Sequence, residues 1–195
     1  KEAEEAFEKG LKLRRELAAA QPESVEAKNR LAVLLVDYGA IPAFNFQAEK
    51  ALFLYNDAYA IINELRQKEP ENPDFKKSLT RMIRSMSKAK TALGDYDGAF
   101  SDLYLAVDVS KELAQQFPKD FRVQRSVWLT ESIICEAYID KAERQKVVDA
   151  CTKIIDFPTK ALAKEPENGV VAYDLAISHF NLSRAYRINN EPSMT

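Results

Sequence analysis

An all-α fold, an α-α superhelix of about eight helices packed as antiparallel pairs, is predicted by three observations on this 195-residue chain. Four prolines, Pro22, Pro70, Pro118 and Pro166, recur at an interval of 48 residues. Side chains of matching type stand at fixed distances after each of them. Between the prolines, apolar residues return at three- and four-residue steps, one face of a helix, and no segment alternates as a strand would.

The matching columns set the phase. Nine positions after each proline stand Leu31, Leu79, Val127 and Leu175. Seventeen after, the residue is small: Gly39, Ser87, Cys135 and Ser183. Twenty-nine after come Ala51, Ala99 and Val147, with Ala3 one period earlier. Forty-three after come Leu65, Leu113 and Ala161, with Leu17 one period earlier. Four columns agreeing at one offset mark an internal repeat, and the three- and four-residue apolar spacing makes each period a pair of helices.

The elements follow in order. Residues 1–20 form half a unit, one helix whose acidic start (Glu2, Glu4, Glu5, Glu8) suits the positive end of a helix dipole. Full units run over about 22–69, 70–117 and 118–165, each with two helices. A first helix opens at Ser24, Asn72 and Asp120, two residues after the proline, where such side chains cap free amides. In the second unit Leu79, Met82, Ile83, Met86 and Leu93 line one helical face, and Phe100, Leu103, Val107 and Leu113 line the next. The turn between them is Leu93-Gly94-Asp95-Tyr96-Asp97-Gly98, with glycine where positive φ is cheap. Asn168 caps a terminal helix over 168–189, which Asn189-Asn190-Glu191-Pro192 stops. One domain over 1–192 and a tail at 193–195 result. Pro42 predicts an early end to its helix and an irregular connection over Ala40–Phe46. Pro158 predicts a kink near Phe157 in a helix over about 145–164.

Little chemistry is visible. Cys135 and Cys151 lie in apolar helical patterns, where a free cysteine acts as a small hydrophobe. His179 is the single histidine, and with two dispersed cysteines it cannot furnish a zinc site. Five glycines form no phosphate-cradling loop. No enzyme activity, metal or cofactor is expected. A balance of 28 basic against 30 acidic residues argues against nucleic acid, and no run is apolar enough to span a bilayer. Two unpaired thiols mildly favour a reducing, cytoplasmic setting.

The run Leu93-Gly94-Asp95-Tyr96-Asp97-Gly98-Ala99-Phe100, with Leu103 and Ala106 after it, resembles the central turn of a tetratricopeptide repeat. So does the pairing of a small residue on the first helix with an alanine on the second. The period is longer than that family's, which is about 34 residues. The resemblance implies a non-catalytic scaffold whose first helices line a concave, partner-binding surface.

On that surface the second unit is strongly basic. Its first helix carries Lys76, Lys77, Arg81, Arg84, Lys88 and Lys90 against a single acid, Asp74. At about 100° per residue, Lys77, Arg81, Arg84 and Lys88 fall within roughly 60° of one another, opposite the apolar face. The matching offsets are Val33, Val36 and Ala40 in the first unit, and Leu129, Ser132 and Glu136 in the third. In the last helix they are Ile177, Phe180 and Arg184. Lys77, Arg81, Arg84, Lys88 and Arg184 are thus candidate contacts for an acidic or amphipathic peptide of a protein partner. Trp128 and Phe121 read as core. The last helix has Ser178, His179 and Asn189 where the second unit has Met82, Ile83 and Leu93, so it reads as a cap or as a helix awaiting a neighbour. The alternative function is assembly, with terminal helices stacking between copies or on other domains of a longer parent.

Overall fold

The turns that carry the prolines repeat bond for bond. The computed structural model describes residues 2–190, the side chains of residues 3 and 4 excepted. In it the amides of Ser24, Asn72, Asp120 and Asn168 donate to the carbonyls of Gln21, Glu69, Phe117 and Glu165 at 3.0–3.2 Å. Each proline is the second residue of its turn, where its fixed φ fits. The four polar side chains then cap as expected, accepting from the amides of Ala27 (3.2 Å), Asp74 (3.0 Å), Arg122 (2.9 Å) and Val171 (3.2 Å). Each such cap is worth about 1 kcal/mol.

Among the described residues these signals produce nine helices and no strand. They are α1 (Glu2–Ala20), α2 (Val25–Phe44), α3 (Ala48–Lys68), α4 (Pro73–Ala92), α5 (Tyr96–Gln116), α6 (Phe121–Asp140), α7 (Arg144–Lys153), α8 (Asp156–Lys164) and α9 (Gly169–Asn190). Glu191–Pro192 and the tail lie outside the described residues, as do the side chains of Ala3 and Glu4.

The turn inside each hairpin is equally periodic. Twenty-four residues after the prolines stand Phe46, Gly94 and Ala142, with φ of 58°, 81° and 54°. The next amides, of Gln47, Asp95 and Glu143, reach back to the carbonyls of Pro42, Lys90 and Tyr138 at 2.8, 2.9 and 3.0 Å. This is a left-handed helix cap. A side chain in that conformation costs about 1 kcal/mol or more, which Gly94 escapes and Phe46 and Ala142 do not.

Both expectations about proline need correction. α2 continues through Pro42 to Phe44, because bonding carries on past the ring: Asn45 donates to Ile41 and Gln47 to Pro42 itself. The irregular connection expected over Ala40–Phe46 is therefore shortened to Asn45–Gln47. The helix expected over 145–164 is not kinked at Phe157 but divided at Ile154–Ile155, giving α7 and α8 and raising the count from eight to nine. Pro158 has no N–H for the carbonyl four residues back, that of Ile154. Ile154 is fully buried, so its carbonyl needs other donors. It accepts from the Trp128 indole N–H at 2.8 Å and the Ser178 hydroxyl at 3.0 Å. Trp128 is core, as expected. Ser178 is core too and does not mark an exposed face, whereas Phe121 is partly exposed and stacks 6.1 Å from Phe157.

The chain divides into two compact units, Lys1–Asp102 and Leu103–Thr195, with the division falling inside α5. In the first, α1 packs on α2, α2 on α3 and on α4, and α3 on α4. Leu35, Tyr55, Ile62, Leu65, Leu79, Met82 and Ile83 are fully enclosed there. The small column meets the second helix as expected at Ser87, whose hydroxyl lies 3.5 Å from the Ala99 carbonyl. At Gly39 a Cβ would stand 2.5 Å from the ring of Tyr55, itself only 2% exposed. Gly39→Ala is therefore expected to destabilise the first unit by about 1–3 kcal/mol through overpacking, read as a lowered thermal midpoint.

In the second unit α6 packs on α7 and α9, and α9 on α7 and α8. Its core holds a correction to the cysteine reading. Cys135 and Cys151 are not free thiols but a disulfide across α6 and α7, Cα atoms 5.0 Å apart and both side chains fully buried. Cys135 lies in the small column. Cys151 lies thirty-three residues after its proline, in the position Tyr55 holds in the first unit. The disulfide thus fills the space that Gly39 and Tyr55 fill two hairpins earlier. The argument for a reducing setting loses its premise.

Candidate functional site

Four of the five candidate residues lie along α4, and their neighbours come from α2. Asn72 caps α4, Pro73 holds its first helical position, and Asp74 sits at its positive end. Leu79, Met82, Ile83 and Met86 bury the opposite face, which turns Lys77, Arg81, Arg84 and Lys88 outward. Lys77 lies 3.4 Å from Asp74, and both are largely in water, so the pair holds little energy. Arg81 forms an ion pair with Asp37 of α2. Arg84 is half-buried and Lys88 exposed.

Beside Arg81 the apolar offsets of the first unit come into place. Ala32, Val33, Val36, Ile62, Ser78 and Arg81 line a small cavity, with Arg81 the charged member of an otherwise apolar and hydroxyl lining. Val36 is buried and Val33 half-buried. The structure thus brings Val33, Val36 and the basic stripe to one face, and adds an acid, Asp37, that balances part of its charge.

Two of the six cations on α4 are not on this face. Lys76 is buried, with only 4% of its surface exposed, and its ammonium lies 3.0 Å from Glu71. Lys90 pairs with Asp102. Arg184 belongs to the second unit, where it is half-buried on α9, 3.5 Å from Asp140 and 5.9 Å from the Phe180 ring. The α4 stripe belongs to the first unit.

The second unit holds a cleft that the periodicity did not single out. It encloses about 410 Å³ and is lined in part by Tyr104, Asp108 and Lys111 of α5, Glu131 and Tyr138 of α6, and Lys146 of α7. The hydroxyls of Tyr104 and Tyr138 stand 2.7 Å apart. Lys111 pairs with Glu131 at 3.2 Å, and the Lys146 ammonium lies 5.9 Å from the Tyr138 ring. Burial, then the bond to Tyr104, pushes the Tyr138 hydroxyl well above its ordinary value. The available signal was Tyr104, Asp108 and Lys111 at helical spacing on a second helix, which is indistinguishable from a solvated face until α6 and α7 are placed.

Among the described residues no three of His, Cys, Asp and Glu stand as a metal-binding group, and no helix is long and apolar enough to cross a membrane. His179 is exposed on α9. Comparison with family models, with curated proteins and with solved structures gives no match, so the tetratricopeptide resemblance rests on the residues alone.

Proposed function

We propose that the chain is a non-catalytic protein-interaction module of tetratricopeptide type, and that its α2–α4 face takes an acidic, amphipathic peptide of a partner protein. The reading is carried by Arg81 standing in the lining of the Val33–Val36 cavity, in line with Lys77, Arg84 and Lys88 along one helix. An apolar side chain of the peptide packs against the half-exposed Val33 at the edge of that cavity. Its carboxylates meet the guanidinium and ammonium groups, which bind carboxylate through charge-assisted bonds. The same cations repel basic sequences.

The test uses a synthetic helical peptide of alternating Leu and Glu faces, with a Leu–Lys counterpart as control. Fluorescence anisotropy is expected to show binding of the acidic peptide that weakens with salt. Reversing Arg81, Arg84 and Lys88 to Glu is expected to weaken it by on the order of a hundredfold, with helicity by circular dichroism unchanged. Equal binding of both peptides, or acidic-peptide affinity that survives the triple reversal, overturns the reading.

A further inference from the structure

In the hairpin α2–α3, ion pairs join the start of the first helix to the end of the second. The Lys28 ammonium lies 2.7 Å from Glu64, and that of Lys68 lies 3.4 Å from Glu23 and 3.5 Å from Glu64. The next repeat keeps the residue types, with Glu71, Lys76 and Glu112 at the positions of Glu23, Lys28 and Glu64. There Lys76 lies 3.0 Å from Glu71.

The third hairpin, α6 with α7 and α8, breaks the pattern at all three positions. Lys119 stands where Glu23 and Glu71 do, Lys160 where Glu64 and Glu112 do, and Gln124 where Lys28 and Lys76 do. Lys164 keeps the position of Lys68. Both acids of the network have thus become lysines. The Gln124 side-chain amide donates instead to the Ala114 and Phe117 carbonyls, at 2.8 and 3.3 Å. Lys160 reaches Asp156 of its own helix at 2.8 Å, a pair largely in water that holds little energy. Glu165 is engaged within its turn, accepting from the Asn168 side-chain amide at 2.8 Å. Among the described residues, Lys119 and Lys164 have no acid at ion-pair distance.

The apolar residues change together with the charges. Phe121 replaces Val25 and Pro73, and Phe157 replaces Ile61 and Val109. The two rings stack at 6.1 Å, with Phe121 left 39% exposed. With the buried Val171 they floor a groove of about 560 Å³, and Lys119, Lys160 and Lys164 stand in its lining. That volume suits a single small ligand. Aromatic surface kept in water beside cations that lack a counter-charge marks a place of interaction.

We infer that this groove binds a small carboxylate with an aromatic or alkyl body. Its carboxylate takes the place among the lysines that Glu64 holds in the first hairpin, receiving charge-assisted bonds from Lys119 and Lys164. Its body lies on the Phe121–Phe157 pair. The groove shares no residue with the α2–α4 face, so either reading can fail without the other.

The test is calorimetric titration with naphthylacetate and with its neutral amide. The acid is expected to bind about tenfold or more tighter than the amide. K119E/K164E, at two exposed positions, is expected to remove that preference and leave the affinity for the amide. Phe121→Ala is expected to weaken acid and amide alike. Q124K/K160E rebuilds the ion pair of the first hairpin and is expected to weaken binding of the acid, with the Trp128 fluorescence of the folded chain unchanged. No binding at millimolar naphthylacetate overturns the inference. Equal affinity for acid and amide overturns it as well, as does acid affinity that survives K119E/K164E.

Discussion

Asp174→Ala is expected to destabilise the second unit by about 3 kcal/mol, the lower part of the range for breaking a buried ion pair. The carboxylate is 1% exposed and accepts from the Arg125 Nε–H at 2.6 Å and a terminal N–H at 2.8 Å, a two-pronged pairing between α6 and α9. That hydrogen bond holds the Arg125 guanidinium more firmly charged than usual. Removing the acid leaves a guanidinium only 27% exposed, 5.8 Å from the Trp128 ring, without its counter-charge. Replacing both partners by apolar residues, as in R125M/D174L, is expected to recover most of the loss, since the pair's attraction barely exceeds its desolvation cost. Trp128 is the single tryptophan and lies in this unit, so urea unfolding followed by its fluorescence reads the unit directly. A D174A midpoint equal to that of the unmodified chain would show the pair to be idle.

Reducing the Cys135–Cys151 bond is expected to cost about 3 kcal/mol, the value for a closed loop of about fifteen residues; here the separation is 16. The effect comes mainly from the unfolded chain, which regains the freedom that the crosslink removes. C135A/C151A is expected to lose a similar amount. C135S/C151S is expected to lose more, because two hydroxyls would be buried without assigned partners. The measurement is urea unfolding with and without reductant, together with thiol titration of the unfolded, unreduced chain. Two reactive thiols in that titration would refute the bond and the ranking alike.

Phase was legible because it is written in residues with local duties. Proline, the cap two residues later and the small column act within one turn or one hairpin, so a linear reading finds them. The left-handed column was legible only at Gly94, since Phe46 and Ala142 hold the same φ against their preference. The Pro158 break was misplaced because the effect of proline falls four residues earlier, on the Ile154 carbonyl, whose new donors, Trp128 and Ser178, come from other helices. The disulfide had a signal: Cys135 and Cys151 occupy two positions that face each other in the Gly39–Tyr55 hairpin. Reading it required the pairing of columns across a hairpin, a tertiary fact. The basic stripe was legible as angles on one helix. Asp37 and the cavity beside Arg81 were not, because two repeats must stack before they meet.

Equivalent hairpins in this chain are not interchangeable parts. In one, a residue with no side chain stands against a large ring; in the other, two medium side chains share a covalent bond across the same gap. Exchanging only the second helices would set tyrosine against Cys135, which has no room for it, and cysteine against Gly39, which would leave a hollow. Recombination among the repeats is therefore tolerated only when both helices of a hairpin travel together, and divergence on one side must be answered on the other.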